Sequence, residues 1–220
     1  MPVSKKKLWF LLFASLLLLI IGYYTVEVVI ARMHTATIAS ALLSEATIQK
    51  DDLTSRQLDI LIKVQDPNFY FHKGVEFRTA GTGWTGITQS LAKTFYFRNF
   101  NQGIAKVKQT LCARFALDPL VPKDDQITIF INSIYFGNGQ YGLDNAAQYY
   151  FSKEVGELAE DEYISLIASL ISPTSLNIKD NPTENLQRVN RIKKMLSGAY
   201  IPKNLLDIEY SGALDVDELY

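Results

Sequence analysis

The sequence is poor in the residues that build disulfide scaffolds and metal centres, and it has no marked excess of charge of either sign. It contains one cysteine, Cys112, and two histidines, His34 and His72, among 220 residues. One cysteine cannot form an intramolecular disulfide, and two imidazoles are too few for a multi-histidine zinc centre. The net charge of -1 leaves no basic surface suited to nucleic acid. A disulfide scaffold, a zinc enzyme and a nucleic-acid-binding arm are therefore excluded.

What the sequence has instead is a long apolar run near its N-terminus. Residues 8–26 carry no charged side chain, and a helix that rises about 1.5 Å per residue would let this run match a ~30 Å hydrocarbon core. Three lysines at 5–7 precede the run, and Tyr23 and Tyr24 lie at its far end. Lysines stay cytoplasmic and tyrosines favour the interface, so we expect a single-pass helix in the inner (cytoplasmic) membrane with its N-terminus inside. The rest of the chain then lies on the periplasmic or extracellular side.

A cleaved signal peptide is the alternative to a membrane anchor. Its apolar core is usually about 7–15 residues long and is followed by an Ala-x-Ala-like site. The run at 8–26 is longer, and the segments 30–32 and 39–41 are poor or distant cleavage sites. These features favour an uncleaved anchor.

The sequence predicts that the remainder of the chain is mainly helical. Apolar residues recur at helical spacing and strand-type alternation is nearly absent, so the predicted fold class is mainly α. The predicted helices cover residues 35–50, 52–63, 87–97, 104–117, 124–135, 143–151, 158–171 and 183–196. The predicted organisation is a cytoplasmic stub at 1–7, the anchor at 8–26, a juxtamembrane helical linker at 27–50, a folded domain at 51–200 and a C-terminal tail at 201–220.

Five motifs follow one another in this folded domain. Residues 65–74, QDPNFYFHKG, resemble the pattern Glu-Asp-x-x-Phe-x-x-His-x-Gly, and residues 83–93, GWTGITQSLAK, resemble Gly-Gly-Ser-Thr-Ile-Thr-Gln-Gln-x-x-Lys. The other three lie at residues 106–109, 123–137 and 141–153. The ordered set resembles the family 51 peptidoglycan glycosyltransferases, and the resemblance covers about residues 55–197.

This resemblance implies a lysozyme-like helical domain on a membrane anchor, facing the cell wall. Members of the family polymerise lipid II by joining a sugar hydroxyl to the anomeric carbon of a chain linked to lipid pyrophosphate. The implied partners are lipid II or the nascent glycan strand, the membrane, and proteins of cell-wall synthesis. Lys93, Lys106 and Lys108 are expected to bind the pyrophosphate, and Thr88 and Gln89 to contact sugar or phosphate.

Two catalytic positions of the family depart from its pattern. The family has a glutamate that acts as general base in the first motif and another that supports the leaving group in the third, and here these positions hold Gln65 and Gln109. An amide cannot accept the proton at neutral pH. Asp66 is the candidate rescue carboxylate. No cofactor is certain from the sequence; the family can use a divalent cation at the pyrophosphate, but Gln109 removes a ligand expected for it.

The sequence leaves two interpretations open. The chain acts in glycosyl transfer with weakened or rerouted catalysis, or it is an inactive relative that binds lipid II, glycan or a synthase. A penicilloyl-serine transpeptidase is rejected, because Ser90 and Lys93 fit Ser-x-x-Lys but no Lys-Thr-Gly follows. A lytic transglycosylase also needs a catalytic acid, so the change at Gln65 weakens that option equally.

Overall fold

The computed structural model describes residues 4–101 and 103–213, and the predicted tail residues 214–220 lie outside this part. The described residues form α-helices and short turns of helix without a named strand, so the mainly α prediction is confirmed. The helices are α1 Lys5–Ser44, α2 Ser55–Gln65, α3 Ile87–Tyr96, α4 Ile104–Cys112, α5 Lys123–Ser133, α6 Leu143–Phe151, α7 Glu160–Ser169 and α8 Pro182–Leu196.

Helix α1 runs without interruption through the predicted anchor and into the predicted linker. It ends at Ser44 rather than at residue 50 as the sequence predicted. The chain turns there because Asn132 on α5 binds the next segment, accepting N–H bonds from Thr47 at 2.9 Å and Ile48 at 3.3 Å. The Asn132 amide also donates to the Ile48 carbonyl at 2.7 Å. A contact from another helix thus ends the helical spacing that the local sequence would continue.

The start of α2 was predicted too early. Residues 50–52 form a separate turn of 3-10 helix, and α2 begins at Ser55 with Thr54 as its N-cap. The Thr54 Oγ1 accepts from the Gln57 N–H at 3.1 Å, and the Gln57 Oε1 accepts from the Thr54 N–H at 2.9 Å. This reciprocal pair satisfies two backbone donors at the helix start, which is why the helix begins after the threonine and not after Asp52.

The second half of α1 packs on α3 and on the end of α4. The Lys108 Nζ lies 2.5 Å from Glu27 Oε2, the Thr35 and Tyr96 hydroxyls are 2.8 Å apart, and the Arg32 guanidinium donates to the Phe115 carbonyl. The first half of α1 is exposed, and α1 is long and apolar enough to cross a membrane. The polar contacts therefore begin where the uncharged run at 8–26 ends.

Among the described residues, the larger of two buried apolar clusters forms the core that joins most of the helices that follow. Large apolar side chains from α2, α3, α5, α7 and α8 meet in it with 1% exposure or less, namely Ile60, Ile87, Ile127, Leu166 and Ile192. Such burial is worth about 1.5–3 kcal/mol for each side chain, so the core holds these helices against one another. The end of α2, the start of α3, residues of α5 and α8 and the segment just after α7 border a cleft at the surface of this core.

Candidate binding cleft

The cleft has a volume of about 400 Å³ and opens between the end of α2 and the first turns of α3. Residues from the loop before α3, from α5 and α8, from the segment just after α7 and from the C-terminal segment complete it. Its lining residues are Val64, Gln65, Gly81, Thr82, Gly83, Trp84, Thr85, Gly86, Ile87, Ser90, Lys93, Phe130, Ile134, Leu170, Ile171, Arg188 and Ile208.

Asp66 connects α2 to the start of α3 inside the protein. Its carboxylate is fully buried, lies 3.0 Å from the His72 Nε2 and accepts from the Ile87 N–H at 2.9 Å. A Cβ at Gly86 would lie 2.2 Å from the Asp66 Oδ2, so only glycine allows this approach. The candidate rescue carboxylate therefore points into the scaffold and does not line the cleft.

Gln65 directly precedes Asp66 and faces the opposite way. Its side chain is partly buried, lines the cleft and makes no hydrogen bond with any residue of the described chain. The amide offers one carbonyl acceptor and two N–H donors to a ligand, but no proton-accepting group at neutral pH. Of the two glutamines at the family's carboxylate positions, Gln65 is the one that lines the cleft.

Gln109 is fully buried on α4, behind α3. Its Nε2 donates to the Gln89 carbonyl at 2.5 Å, while its Oε1 has no hydrogen-bond partner within the described residues. A buried acceptor without a hydrogen-bond partner lowers the free energy of unfolding by about 1–3 kcal/mol for a typical group. Gln109 is thus a supporting residue beneath the cleft rather than part of its lining.

The predicted sugar- or phosphate-binding residues Thr88 and Gln89 are both buried in α3. The Thr88 hydroxyl donates to Gln126 Oε1 at 2.7 Å, and Gln89 Nε2 donates to the Thr110 hydroxyl at 3.2 Å. Neither side chain lines the cleft. Their hydrogen bonds join α3 to α4 and α5 and so hold the first turns of α3 in position.

Two lysines form the cationic part of the site. Lys93 lines the cleft, and its contact within the described chain is with the Phe100 ring, whose centroid lies 5.2 Å from Nζ. Lys106 reaches the rim, where its Nζ donates to the Thr85 hydroxyl at 2.6 Å. Burial lowers the pKa of Lys93, and burial together with the charge of Lys93 lowers the pKa of Lys106 to about 8. An anion bound nearby would stabilise the charged form of each lysine and raise its pKa.

Lys108, the third predicted pyrophosphate ligand, lies elsewhere. It forms the ion pair with Glu27 of α1 and stacks over the Phe97 ring with 5.2 Å between Nζ and the ring centroid. The structure therefore brings Lys93 and Lys106 together at the cleft and directs Lys108 to the junction with α1.

Arg188 and Thr82 line the cleft and were missed by the sequence reasoning. Arg188 is 2% exposed, and its guanidinium donates to the carbonyls of Ala168 at 3.2 Å and Ile208 at 2.9 Å. Thr82 is 5% exposed, and its hydroxyl has no partner among the described residues. An arginine in an otherwise amphipathic helix and a threonine between two glycines carry no distinctive signal, because only the packing makes them buried.

The donor groups of the cleft do not suit a divalent cation. Mg²⁺ and Ca²⁺ prefer carboxylate and other oxygen ligands, whereas the lining supplies no carboxylate and holds Lys93 and Arg188. Within the described residues, no three acidic, histidine or cysteine side chains lie close enough to hold a metal ion. The divalent cation that the family resemblance allows therefore finds no fitting ligand set among the described residues, and the chemistry of the arrangement is that of anion binding by ammonium groups.

Comparisons with known proteins extend the resemblance. The family model described as Transglycosylase matches residues 34–197. Penicillin-binding protein 1A of Aquifex aeolicus is 31% identical over 165 residues, or 69% of this chain and 23% of that protein. Penicillin-binding protein 1F of Bacillus subtilis is 28% identical over 160 residues, or 67% of this chain and 22% of that protein. Penicillin-binding protein 1A of Escherichia coli is 27% identical over 181 residues, or 76% of this chain and 21% of that protein. The chain spans about a fifth of the length of these relatives.

Proposed function

The chain belongs to the Transglycosylase family, the family 51 peptidoglycan glycosyltransferases with their lysozyme-like helical domain, and from this premise we propose that its cleft binds lipid II or the nascent glycan strand. We propose further that it does so as a membrane-tethered protein whose glycosyl transfer is slow or absent. The glycosyltransferase-like domain in this proposal is residues 51–200, with residues 27–50 linking it to the anchor.

The observation that carries the proposal is the pair of partly buried lysines at the cleft. Lys93 and Lys106 repel each other across a region with no carboxylate in the cleft lining. A pyrophosphate placed between them would neutralise both ammonium groups and form charge-assisted hydrogen bonds. Loss of the two family carboxylates leaves this positive charge less compensated, which favours retention of an anionic ligand.

The membrane part of the proposal rests on α1. The uncharged run at 8–26 would span the bilayer, with the lysines at 5–7 on the cytoplasmic side. The contacts of Glu27, Arg32 and Thr35 would then hold α3 and α4 next to the outer surface of the membrane. A lipid-linked substrate would reach the cleft without leaving the bilayer.

Slow turnover follows from the chemistry of the lining. The attacking sugar hydroxyl needs a base, and the cleft presents the Gln65 amide where the family has a glutamate. Asp66 is committed to His72 and the Ile87 N–H, so it is not free to take the proton. Loss of a general base costs about 10²–10⁴ in rate.

Binding and polymerisation of labelled lipid II in detergent test the proposal together. The wild-type chain should bind lipid II, and the Lys93→Met/Lys106→Met variant should lose most of that affinity. Lys73→Met is the matched control, since Lys73 is exposed and does not line the cleft. Equal binding by the double lysine variant and the control would contradict the proposed ligand site.

Restoring the two carboxylates tests the part of the proposal that concerns slow or absent glycosyl transfer. Gln65→Glu/Gln109→Glu should polymerise lipid II at least about 10²-fold faster than the wild-type chain, with Gln65→Glu alone in between. A wild-type rate equal to that of the double variant would mean that the chain uses another base. If Asp66→Asn then abolished the wild-type activity while the fold persisted, Asp66 would be that base.

A further inference from the structure

The C-terminal segment forms part of the cleft although it lies beyond the region that the family matches. Residues 202–210, called the C-terminal strap here, follow the end of the match at residue 197. The Gly81 N–H donates to the Asn204 carbonyl at 2.9 Å, and the Gly83 N–H donates to the Leu205 carbonyl at 2.8 Å. The strap therefore binds the backbone of the loop that leads into α3.

The approach of the strap to this loop requires glycine. Gly83 has a φ of +70°, and a Cβ there would lie 3.0 Å from the Ile208 Cγ2. Gly81 has a φ of +81°, and a Cβ there would lie 3.1 Å from the Pro202 ring. Side chains at either position would strain the backbone and push the strap away. Within the loop of residues 81–86, the two glycines with a positive φ are thus the two that donate to the strap.

The strap is also fixed to the core on its other side. The Arg188 Nη1 donates to the Ile208 carbonyl at 2.9 Å, and the Arg191 Nε donates to the Glu209 carbonyl at 2.9 Å. Tyr210 is 1% exposed, so the end of the strap is anchored in the protein interior. The strap therefore connects α8 to the loop before α3, and Arg188 lies at both the strap and the cleft.

We propose that the C-terminal strap positions the loop of residues 81–86 and supplies Ile208 as one wall of the cleft, so that it sets the affinity for the lipid-linked pyrophosphate. The same loop carries Thr85, whose hydroxyl accepts from the Lys106 ammonium. Displacing the loop would therefore move the partner of one ligand-binding lysine. The identity of the ligand rests on the proposed function, whereas the hold of the strap on the loop does not.

A plug that blocks the site is the opposite role for the same segment. With the strap in place, the cleft keeps a volume of about 400 Å³, and Gln65, Ser90 and Lys93 still line it. Ile208 borders this space beside Gly83 and does not fill it. The geometry thus favours a wall over a plug.

Amide hydrogen exchange without ligand tests the positioning role first. Ile208→Ala should make exchange in the peptide that contains Gly81 and Gly83 at least about tenfold faster, because the strap packs less well on the loop. Ile208→Val should give a smaller acceleration. Leu206→Ala is the matched control, since it removes a similar aliphatic volume from a side chain in the same strap that is 55% exposed. Exchange in α5 and α7 should stay unchanged in all three variants, which shows that the fold is retained.

Lipid II binding in detergent tests the consequence for the ligand. Ile208→Ala should weaken binding by about tenfold, and Leu206→Ala should leave it within about twofold of wild type. Unchanged exchange in Ile208→Ala would overturn the positioning role, and tighter binding by that variant would identify the strap as a plug. If the wild-type chain bound no lipid II, the proposed function would fail, while the exchange experiment would still decide the hold of the strap on the loop.

Discussion

Gln65 and Asp66 are neighbours in the chain, yet they belong to two different regions of the molecule. Asp66 points inward, where the His72 ring and the Ile87 N–H bind its carboxylate. The Gln65 side chain lines the cleft and has no hydrogen-bond partner among the described residues. The carboxylate has been kept on the structural side of the α2 terminus, and an amide stands on the cleft side.

The two neighbouring positions therefore have different roles: the residue at 66 holds the fold together, and the residue at 65 faces the space where a ligand would bind. A buried carboxylate that accepts several hydrogen bonds is costly to remove, because its buried partners would be left without an acceptor. A carboxylate in the cleft would contribute to proton transfer, whereas the Gln65 side-chain amide makes no hydrogen bond with the described residues that would hold the fold. A chain can therefore lose the base of its family and still keep the helix positions that form the cleft.

The largest effect is expected on the structural side of this comparison. Asp66→Ala should lower the free energy of unfolding by about 3 kcal/mol or more, because it leaves the buried His72 ring and the Ile87 N–H without their acceptor. Chemical denaturation in detergent measures the change. Asp51→Ala is the control, since the Asp51 side chain is 88% exposed and its ion pair with Lys50 should contribute less than about 1 kcal/mol. Equal stability of the two variants would show that Asp66 does not hold α2 to α3.

An intermediate effect is expected from pH at the cationic part of the cleft. The pKa of Lys106 is lowered to about 8, so the ammonium form that binds an anion is present at pH 7 and is mostly lost at pH 9. Affinity for lipid II should therefore fall by about tenfold between these pH values. The two ester-linked phosphates of lipid II have no proton to lose in this range. Binding titrations at several pH values measure the slope.

Lys106→Arg provides the matched comparison for this titration. A guanidinium remains protonated throughout the range, so the variant should show a flatter dependence on pH. An unchanged slope in Lys106→Arg would assign the pH dependence to another group and remove Lys106 from the ligand site.

The smallest effect is expected beneath the cleft, at Gln109. Gln109→Met should change the free energy of unfolding by less than about 1 kcal/mol, because it removes one hydrogen bond to the Gln89 carbonyl together with one unpartnered acceptor. Thermal unfolding followed by circular dichroism can measure this. A loss comparable with that of Asp66→Ala would show that Gln109 belongs with the structural residues and would break the distinction drawn above.

The helical periodicity predicted most of the architecture. The sequence predicted α6 at residues 143–151 as the structure has it, because its apolar spacing and flanking residues agree. It predicted one helix over 104–117, where the structure has α4 followed by a wider turn of π-helix at Ala113–Leu117. The end of α1 was missed because Asn132, which binds the turn after it, lies more than eighty residues away.

The site residues were predicted less completely. The motifs led to Gln65, Lys93 and Lys106, which the structure brings to one cleft or to its rim. They also led to Thr88 and Gln89, which are buried and make hydrogen bonds inside the protein. A residue's place in a family motif does not specify whether its side chain points to the cleft or into the core. On a helix such as α3, neighbouring residues point in different directions around the axis, so adjacent motif positions can differ in this respect.

The sequence by itself determined the membrane-length apolar helix, the mainly helical fold and the replacement of two family carboxylates by glutamines. The first two depend on residue type and local spacing, and the third depends on the resemblance of the motifs to the family, so all three can be read without a structure. Only the tertiary structure decided that Asp66 serves the scaffold, that Lys108 pairs with Glu27, and that the C-terminal strap borders the cleft. The strap holds its loop through backbone carbonyls. Because every residue has a backbone carbonyl, no pattern of side chains in the sequence could predict that contact.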